Sequence, residues 1–196
     1  MRSWCYSRAF LLLFGLAWVA AVSAGMGILT QYETAPGDSG EPPAHWPERS
    51  RIPRMPKGMT LVMAAHPRCP CTRASIEELA RVVAVCQGLV ATHVVFVLAE
   101  KSDPDWTETD LWLAAGIIPG VQVHADPSGR EASLFGAATS GHALLYDAEG
   151  TLRFSSGITG SRGHAGDNTG RWRVVDLIQG RSSEASEGFV FGCSLF

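Results

Sequence analysis

The stretch that most constrains this chain runs from Thr60 to Cys86, TLVMAAHPRCPCTRASIEELARVVAVC. Thr60 to Ala65 is an apolar run of the length a buried strand needs, and Pro67 forces His66 out of helical geometry and ends it. Two cysteines flanking one proline follow directly. Pro70 suits the first helical position, where its missing N–H costs nothing, and it pushes Cys69 towards the extended geometry of an N-cap. Cys71 then falls in the first turn. Beyond it Ile76, Leu79, Val83 and Cys86 recur at helical spacing on one face, with Glu77 and Arg81 as an i,i+4 pair on the other. A second start signal competes: Ser75 and Glu78 spell a capping box, which would begin the helix later and leave the cysteines in a loop.

Thiols at a helix start meet unpaired backbone N–H groups and the positive end of the dipole, which favour thiolate over thiol. Arg68 and Arg73 add to that field. Cys69, earlier and expected nearer the surface, is the candidate nucleophile, and Cys71 the candidate resolving thiol. A disulfide across one intervening residue closes a small, strained ring that is easily reduced. The same sulfurs support another chemistry, because thiolates select soft ions such as Cu(I), with His66 and His164 as imidazole candidates. Zinc is disfavoured, since four ligands at familiar spacing are not visible.

The chain has 196 residues and a formal charge of −3, enough for one domain plus appendages, and no basic block points to nucleic acid. No charged residue lies between Ala9 and Tyr32, while Arg2 and Arg8 precede the apolar run. Residues 1–32 therefore read as a membrane anchor with the N-terminus cytoplasmic and the domain exported to the periplasmic side. A cleaved signal with a small-residue site at Val22-Ser23-Ala24, giving a secreted protein, is the alternative. Residues 33–57 are Pro-rich and read as a solvated tether, although His45 and Trp46 offer docking groups. The domain is expected over 58–181, with a tail at 182–196. Cys5 precedes the apolar run, and Cys86 reads as a core residue. Cys193 lies in the apolar tail FVFGCSLF, which, packed back, would bring a possible third thiol to the pair.

The remaining pattern is strand His93–Leu98, a short helix capped by Asp105 or Thr107, strand Val121–Ala125, helix Ser128–Phe135, strand His142–Tyr146, the turn Asp147–Gly150 and its hairpin partner Leu152–Ser155. A Gly-rich loop, Gly157–Gly166, leads to a helix from Thr169 to Gln179 with Trp172, Val175 and Ile178 or Gln179 inward. HPRCPCTRASIEEL followed by TSGHALLYDAEGTLRFSSGITGSRGH resembles the membrane-tethered thioredoxin-like proteins of the RedB type, within the wider TlpA-like and peroxiredoxin-like group. The resemblance implies an α/β fold, a thioredoxin-like three-layer sandwich with an inserted α-β unit, and thiol redox chemistry. Two features depart from ordinary thioredoxins: the cysteines are one residue apart rather than two, and Gly141 stands where a cis-proline precedes the strand facing the site.

Three classes of function follow. The first is a tethered thiol-disulfide oxidoreductase acting on protein thiols or a membrane redox partner, with no cofactor. The second is a copper-handling protein of the Sco kind, using Cys69, Cys71 and His164. The third is a non-catalytic interaction domain. His66, Arg68, Gly141, Arg162 and His164 are the expected residues lining the site, although a loop this rich in glycine also suits a plain flexible connection.

Overall fold

The computed structural model describes residues 2–98 and 109–196, with side chains described from residue 8 onward. The chain divides into two compact units, 1–35 and 36–196. The first is one helix, α1 (Arg2–Thr34). Its part from Arg8 to Thr34 is long and apolar enough to cross a membrane, a test that a signal sequence near an N-terminus also passes.

The second unit is built on one six-stranded sheet. Its strands are β1 (Met59–Ala65), β2 (Val90–Leu98), β3 (Val121–Pro127), β4 (His142–Tyr146), β5 (Leu152–Gly157) and the two-residue β6 (Ser186–Glu187). They lie in the order β3-β2-β1-β4-β5-β6, with β1, β2 and β3 parallel and β4 antiparallel to β1 and β5. Period-two alternation puts Leu61, Met63 and Ala65 of central β1 on one face and Val62 and Ala64 on the other. The first face packs against α2 (Pro70–Val85), α3 (Asp110–Gly116) and α5 (Thr169–Ile178), and through them forms the main core. This is a thioredoxin-like α/β sandwich.

Among the described residues the one helix on the opposite face is the short α4 (Arg130–Leu134), and the Pro-rich segment adds to its cover. Residues 36–57 are not a solvated tether. Ile52 is buried against Val62, Val95, Leu144 and Tyr146, and the Trp46 ring meets Phe135 and Tyr146 edge-on at 4.9 and 5.3 Å. Trp46 N–H donates to Gly150 O at 2.7 Å, Leu152 N–H to Ala44 O at 2.9 Å, and Tyr146 Oη to Pro43 O at 3.1 Å. Proline composition favours extended chain, and extended chain with apolar residues at intervals can be laid on a sheet as readily as it can be solvated. Trp46→Ala should therefore lower unfolding free energy by about 2 to 3 kcal/mol in a urea titration; a tether residue would give no measurable change.

Several local expectations need revision. Arg81 pairs with Glu78, not Glu77, because Glu78 points into a buried cluster rather than to solvent. In α5, Val174, Val175, Leu177 and Ile178 are inward, while Trp172 is half exposed with its indole N–H bonded to Asp167. Helix α3 is capped by Thr109, whose side chain accepts from Trp112 N–H. The caps expected at Asp105 and Thr107 lie outside the described residues. Strand β6 had no sequence signal of its own; at two residues it is too short to have one.

Candidate functional site

Helix α2 begins at the earlier of its two start signals. Cys69 is the N-cap of α2 with extended backbone (φ −83°, ψ 121°), and Pro70 takes the first helical position, so the Ser75–Glu78 capping box is not used. Cys69 N–H donates to His66 O at 3.2 Å, and Thr72 N–H to Cys69 O at 3.0 Å. A hydroxyl pair locks this turn to the start of β4: Thr72 Oγ1 and Ser140 Oγ are 2.7 Å apart, while Ser140 Oγ accepts from His66 N–H at 2.8 Å. Neither Thr72 nor Ser140 carried a readable signal, since isolated hydroxyl residues occur throughout the sequence.

Gly141 stands beside this lock. Its φ is +91°, its N–H donates to Ala64 O at 2.8 Å, and a β-carbon there would come within 2.6 Å of Ser75 Oγ. The position needs glycine. Proline, which fixes φ near −65° and has no N–H, cannot replace it without loss of the loop.

Cys69 and Cys71 are both buried, at 2 and 5 % exposure, so Cys69 is not the more superficial of the pair. The reason is the tail. Residues 188–195 fold back over the cysteines, and Ser140 N–H donates to Cys193 O at 2.8 Å while Leu195 N–H donates to Ala138 O at 2.9 Å. This brings Cys193 Sγ to 2.8 Å from Cys69 Sγ. The sulfurs of Cys69, Cys71 and Cys193 all lie within 4.8 Å of one another, and none is in a disulfide.

Their acidities diverge. For Cys69, burial favours the thiol, but hydrogen bonds from Cys193 and Thr72 outweigh it, and the pKa falls below the ordinary thiol value. Burial, then the charge of Cys69, raises Cys71. Burial, then the hydrogen bond and charge of Cys69, pushes Cys193 up to about 12.

The Gly-rich loop does reach this end of the fold. Arg162 donates to Gly192 O, next to Cys193, and its charge opposes the upward shifts of Cys71 and Cys193. His164 is exposed and its Nδ1 bonds Arg162 O at 2.8 Å, outside the sulfur group. His66 caps locally, its Nδ1 accepting from Arg68 N–H at 3.2 Å, and burial followed by the Arg68 charge lowers its pKa. Arg68 and Cys69 line one wall of a cleft of about 470 Å³ with Pro67, Pro70, Arg73, Thr109, Asp110 and Leu111. Cys86 is fully buried in the main core.

The expectation of no cofactor is overturned by the sulfur group. Three soft donors from two chain segments converge at one point, which makes Cys69, Cys71 and Cys193 a group able to hold a metal ion. The donor set is sulfur throughout, and it fits a soft monovalent ion better than zinc, whose structural sites close with four ligands. The Cys69-Pro70-Cys71 pair is equally consistent with thiol redox chemistry, being a paired thiol motif at a helix start of a thioredoxin-like fold.

No protein-family model matches this sequence, and no curated protein matches it. Among solved structures, an uncharacterized conserved protein from Geobacillus kaustophilus superposes with a TM-score of 0.59 at 16 % identity, covering 83 % of this chain and 92 % of that one. A hypothetical protein from Sinorhizobium meliloti 1021 gives 0.58 at 23 % identity, covering 71 and 80 %. The exposed lipoprotein thioredoxin of Streptococcus pneumoniae TIGR4 is more distant, with a TM-score of 0.47 at 14 % identity over 64 and 86 %. At such identities the first two likenesses establish the fold, and the chemistry has to be argued from the cysteines themselves.

Proposed function

We propose that this protein is an exported, membrane-tethered copper-handling protein that holds one Cu(I) between Cys69, Cys71 and Cys193 on a thioredoxin-like scaffold. The observation that carries this reading is the convergence of three sulfurs within 4.8 Å, one of them delivered from a segment 124 positions away by backbone pairing. A redox pair needs two thiols; a third at the same point is what a three-coordinate soft ion uses. Arg162 offsets part of the negative charge of three thiolates. Thr72 and Ser140 fix the turn that carries Cys69, and the Ser140–Cys193 backbone bond fixes the third donor. The apolar helix α1 supplies the anchor or export signal. Residues 1–32 would act as an anchor in a protein of the RedB kind.

The test is a Cu(I) titration of the reduced protein against a competing chelator. One equivalent should bind, and Cys193→Ser should weaken binding about a hundredfold or more, the loss of one of three soft donors. Burial raises the pKa of Cys71 and Cys193, and binding must displace their thiol protons, so affinity should rise with pH. A pH-independent affinity, or one unchanged in Cys193→Ser, would sink the three-sulfur site.

A second reading, thiol-disulfide exchange with other proteins' thiols, is favoured by the lowered pKa of Cys69. Cys69 is then the attacking thiolate. It uses the same residue, and turnover of a model dithiol substrate distinguishes it from copper binding.

A further inference from the structure

The segment that delivers Cys193 is held like a strap rather than like a core element. After β6 it follows the sheet edge, Gly188 N–H to Ser155 O at 3.0 Å and Gly157 N–H to Phe189 O at 3.0 Å, then crosses to the start of β4. There Thr139 and Ser194 form an isolated antiparallel bridge flanked by the two bonds to Cys193 O and Ala138 O. Val190 and Leu195 are buried anchors, whereas Phe189 and Phe196 are exposed. A handful of backbone hydrogen bonds and two apolar side chains can open without unfolding the sheet. The close approach is nevertheless specific, because a β-carbon on Gly192 would stand 1.9 Å from Ser140 O.

Cys69 has two thiol neighbours, and the chain treats them differently. Cys71 sits in the first helical turn, with only Pro70, fixed in φ, between it and Cys69, so bridging the two would strain the helix start. Cys193 comes from 124 positions away on a strap that can adjust, and its sulfur is already 2.8 Å from that of Cys69. We infer that Cys69 and Cys193 are the redox couple of this site, and that their disulfide closes the metal site by taking two of its three sulfur donors. The inference rests on the copper reading for its consequence but not for the identity of the couple.

The chemistry balances with a small disulfide, such as glutathione disulfide, as oxidant. When the strap opens, the Cys69 sulfur, otherwise buried beneath it, attacks one sulfur of the reagent. The reagent's S–S bond breaks and one half leaves as a thiol. The Cys193 sulfur then attacks Cys69 Sγ, the mixed bond breaks, and the second half leaves as a thiol. One disulfide is reduced to two thiols, two protein thiols become one disulfide, and the two protons they lose go to the leaving groups.

The experiment uses full-length protein in detergent, equilibrated with defined glutathione mixtures, acid-quenched, alkylated and mapped by peptide mass spectrometry. A Cys69–Cys193 cross-link should appear, with Cys71 and Cys86 alkylated, and Cu(I) capacity should fall at least tenfold and return on reduction. Gly192→Ala, which lifts the strap while retaining every cysteine, should shift the cross-link to more oxidising mixtures by about tenfold in the glutathione ratio. A Cys69–Cys71 linkage, or none, in protein that binds Cu(I) when reduced would overturn the couple and leave the copper reading standing. Full Cu(I) capacity in cross-linked protein would overturn the closure. Reduced protein that binds no Cu(I) would sink the copper reading, and the linkage map would still decide the couple.

Discussion

Cys69→Ser should weaken Cu(I) binding by at least the roughly hundredfold factor expected of Cys193→Ser and abolish the Cys69–Cys193 disulfide, while costing the domain only about 1 to 2 kcal/mol of stability. The residue is common to both chemistries: its sulfur is 2.8 Å from that of Cys193, and of the three clustered thiols it is the one whose pKa is lowered. A hydroxyl has nearly the same shape but is a hard, weak donor that neither holds a soft ion nor attacks a disulfide at neutral pH. The fold survives because the structural bonds at this position are made by the backbone, from Cys69 N–H to His66 O and from Thr72 N–H to Cys69 O. Cys86→Ser is the matching control. It buries a hydroxyl among Leu79, Val82 and Val83, costing about 1 to 3 kcal/mol, and should leave Cu(I) affinity unchanged. Undiminished Cu(I) affinity in Cys69→Ser would place the metal elsewhere.

How much of this was legible in the sequence follows from the range over which each signal acts. The strand at Thr60–Ala65, the helix start at Pro70 and the inward face of Ile76, Leu79, Val83 and Cys86 are set by neighbours within a few residues, and local pattern carried them. So did the hairpin of β4 and β5, whose turn is closed by Asp147. The docking of Trp46 was not legible, because proline-rich composition says that chain is extended and nothing about what it lies on. The sulfur group was only half legible. Cys69 and Cys71 announce themselves by spacing, and the apolar tail offered Cys193 as a possible third thiol, but the backbone bonds to residues 138 and 140 that deliver it leave no mark on side-chain identity. His164 looked like the third ligand because it sits in a loop rich in glycine and charge; in the fold it is Arg162, two residues earlier, that turns to the site. At Gly141 the pattern was read against a proline found in relatives of this fold, and the positive φ and bonded N–H there explain why glycine stands in its place.

Glu78→Ala should be the most destabilising single substitution outside the main core, lowering unfolding free energy by about 3 to 5 kcal/mol. The side chain is fully buried on α2, yet it makes no apolar contribution. Its Oε1 accepts from Gly166 N–H at 2.7 Å, and its Oε2 from Arg171 Nη1 at 2.9 Å and Asn168 Nδ2 at 3.4 Å; Arg81 closes the cluster. Asn168 in turn caps α5, accepting from Arg171 N–H at 2.8 Å. One carboxylate thus fixes the end of the Gly-rich loop and the start of the last helix against the helix that carries the cysteines. Its removal leaves the largely buried Arg171 guanidinium with only the exposed Asp167 carboxylate as an acidic partner at 3.2 Å and leaves Gly166 N–H without this acceptor, and each bond lost from a buried group costs more than the bond itself was worth. Glu78→Gln keeps the shape and some of the bonds but not the charge, so it should fall between wild type and Glu78→Ala in a urea titration. The consequence extends to function, because the same loop holds Arg162 against Gly192 O. With the loop released, the strap loses one of its bonds next to Cys193, and alkylation of that thiol in reduced protein should be several times faster in Glu78→Gln than in wild type. An unchanged alkylation rate in a folded Glu78→Gln protein would show that the buried cluster stabilises α5 alone and that the strap is held without the loop.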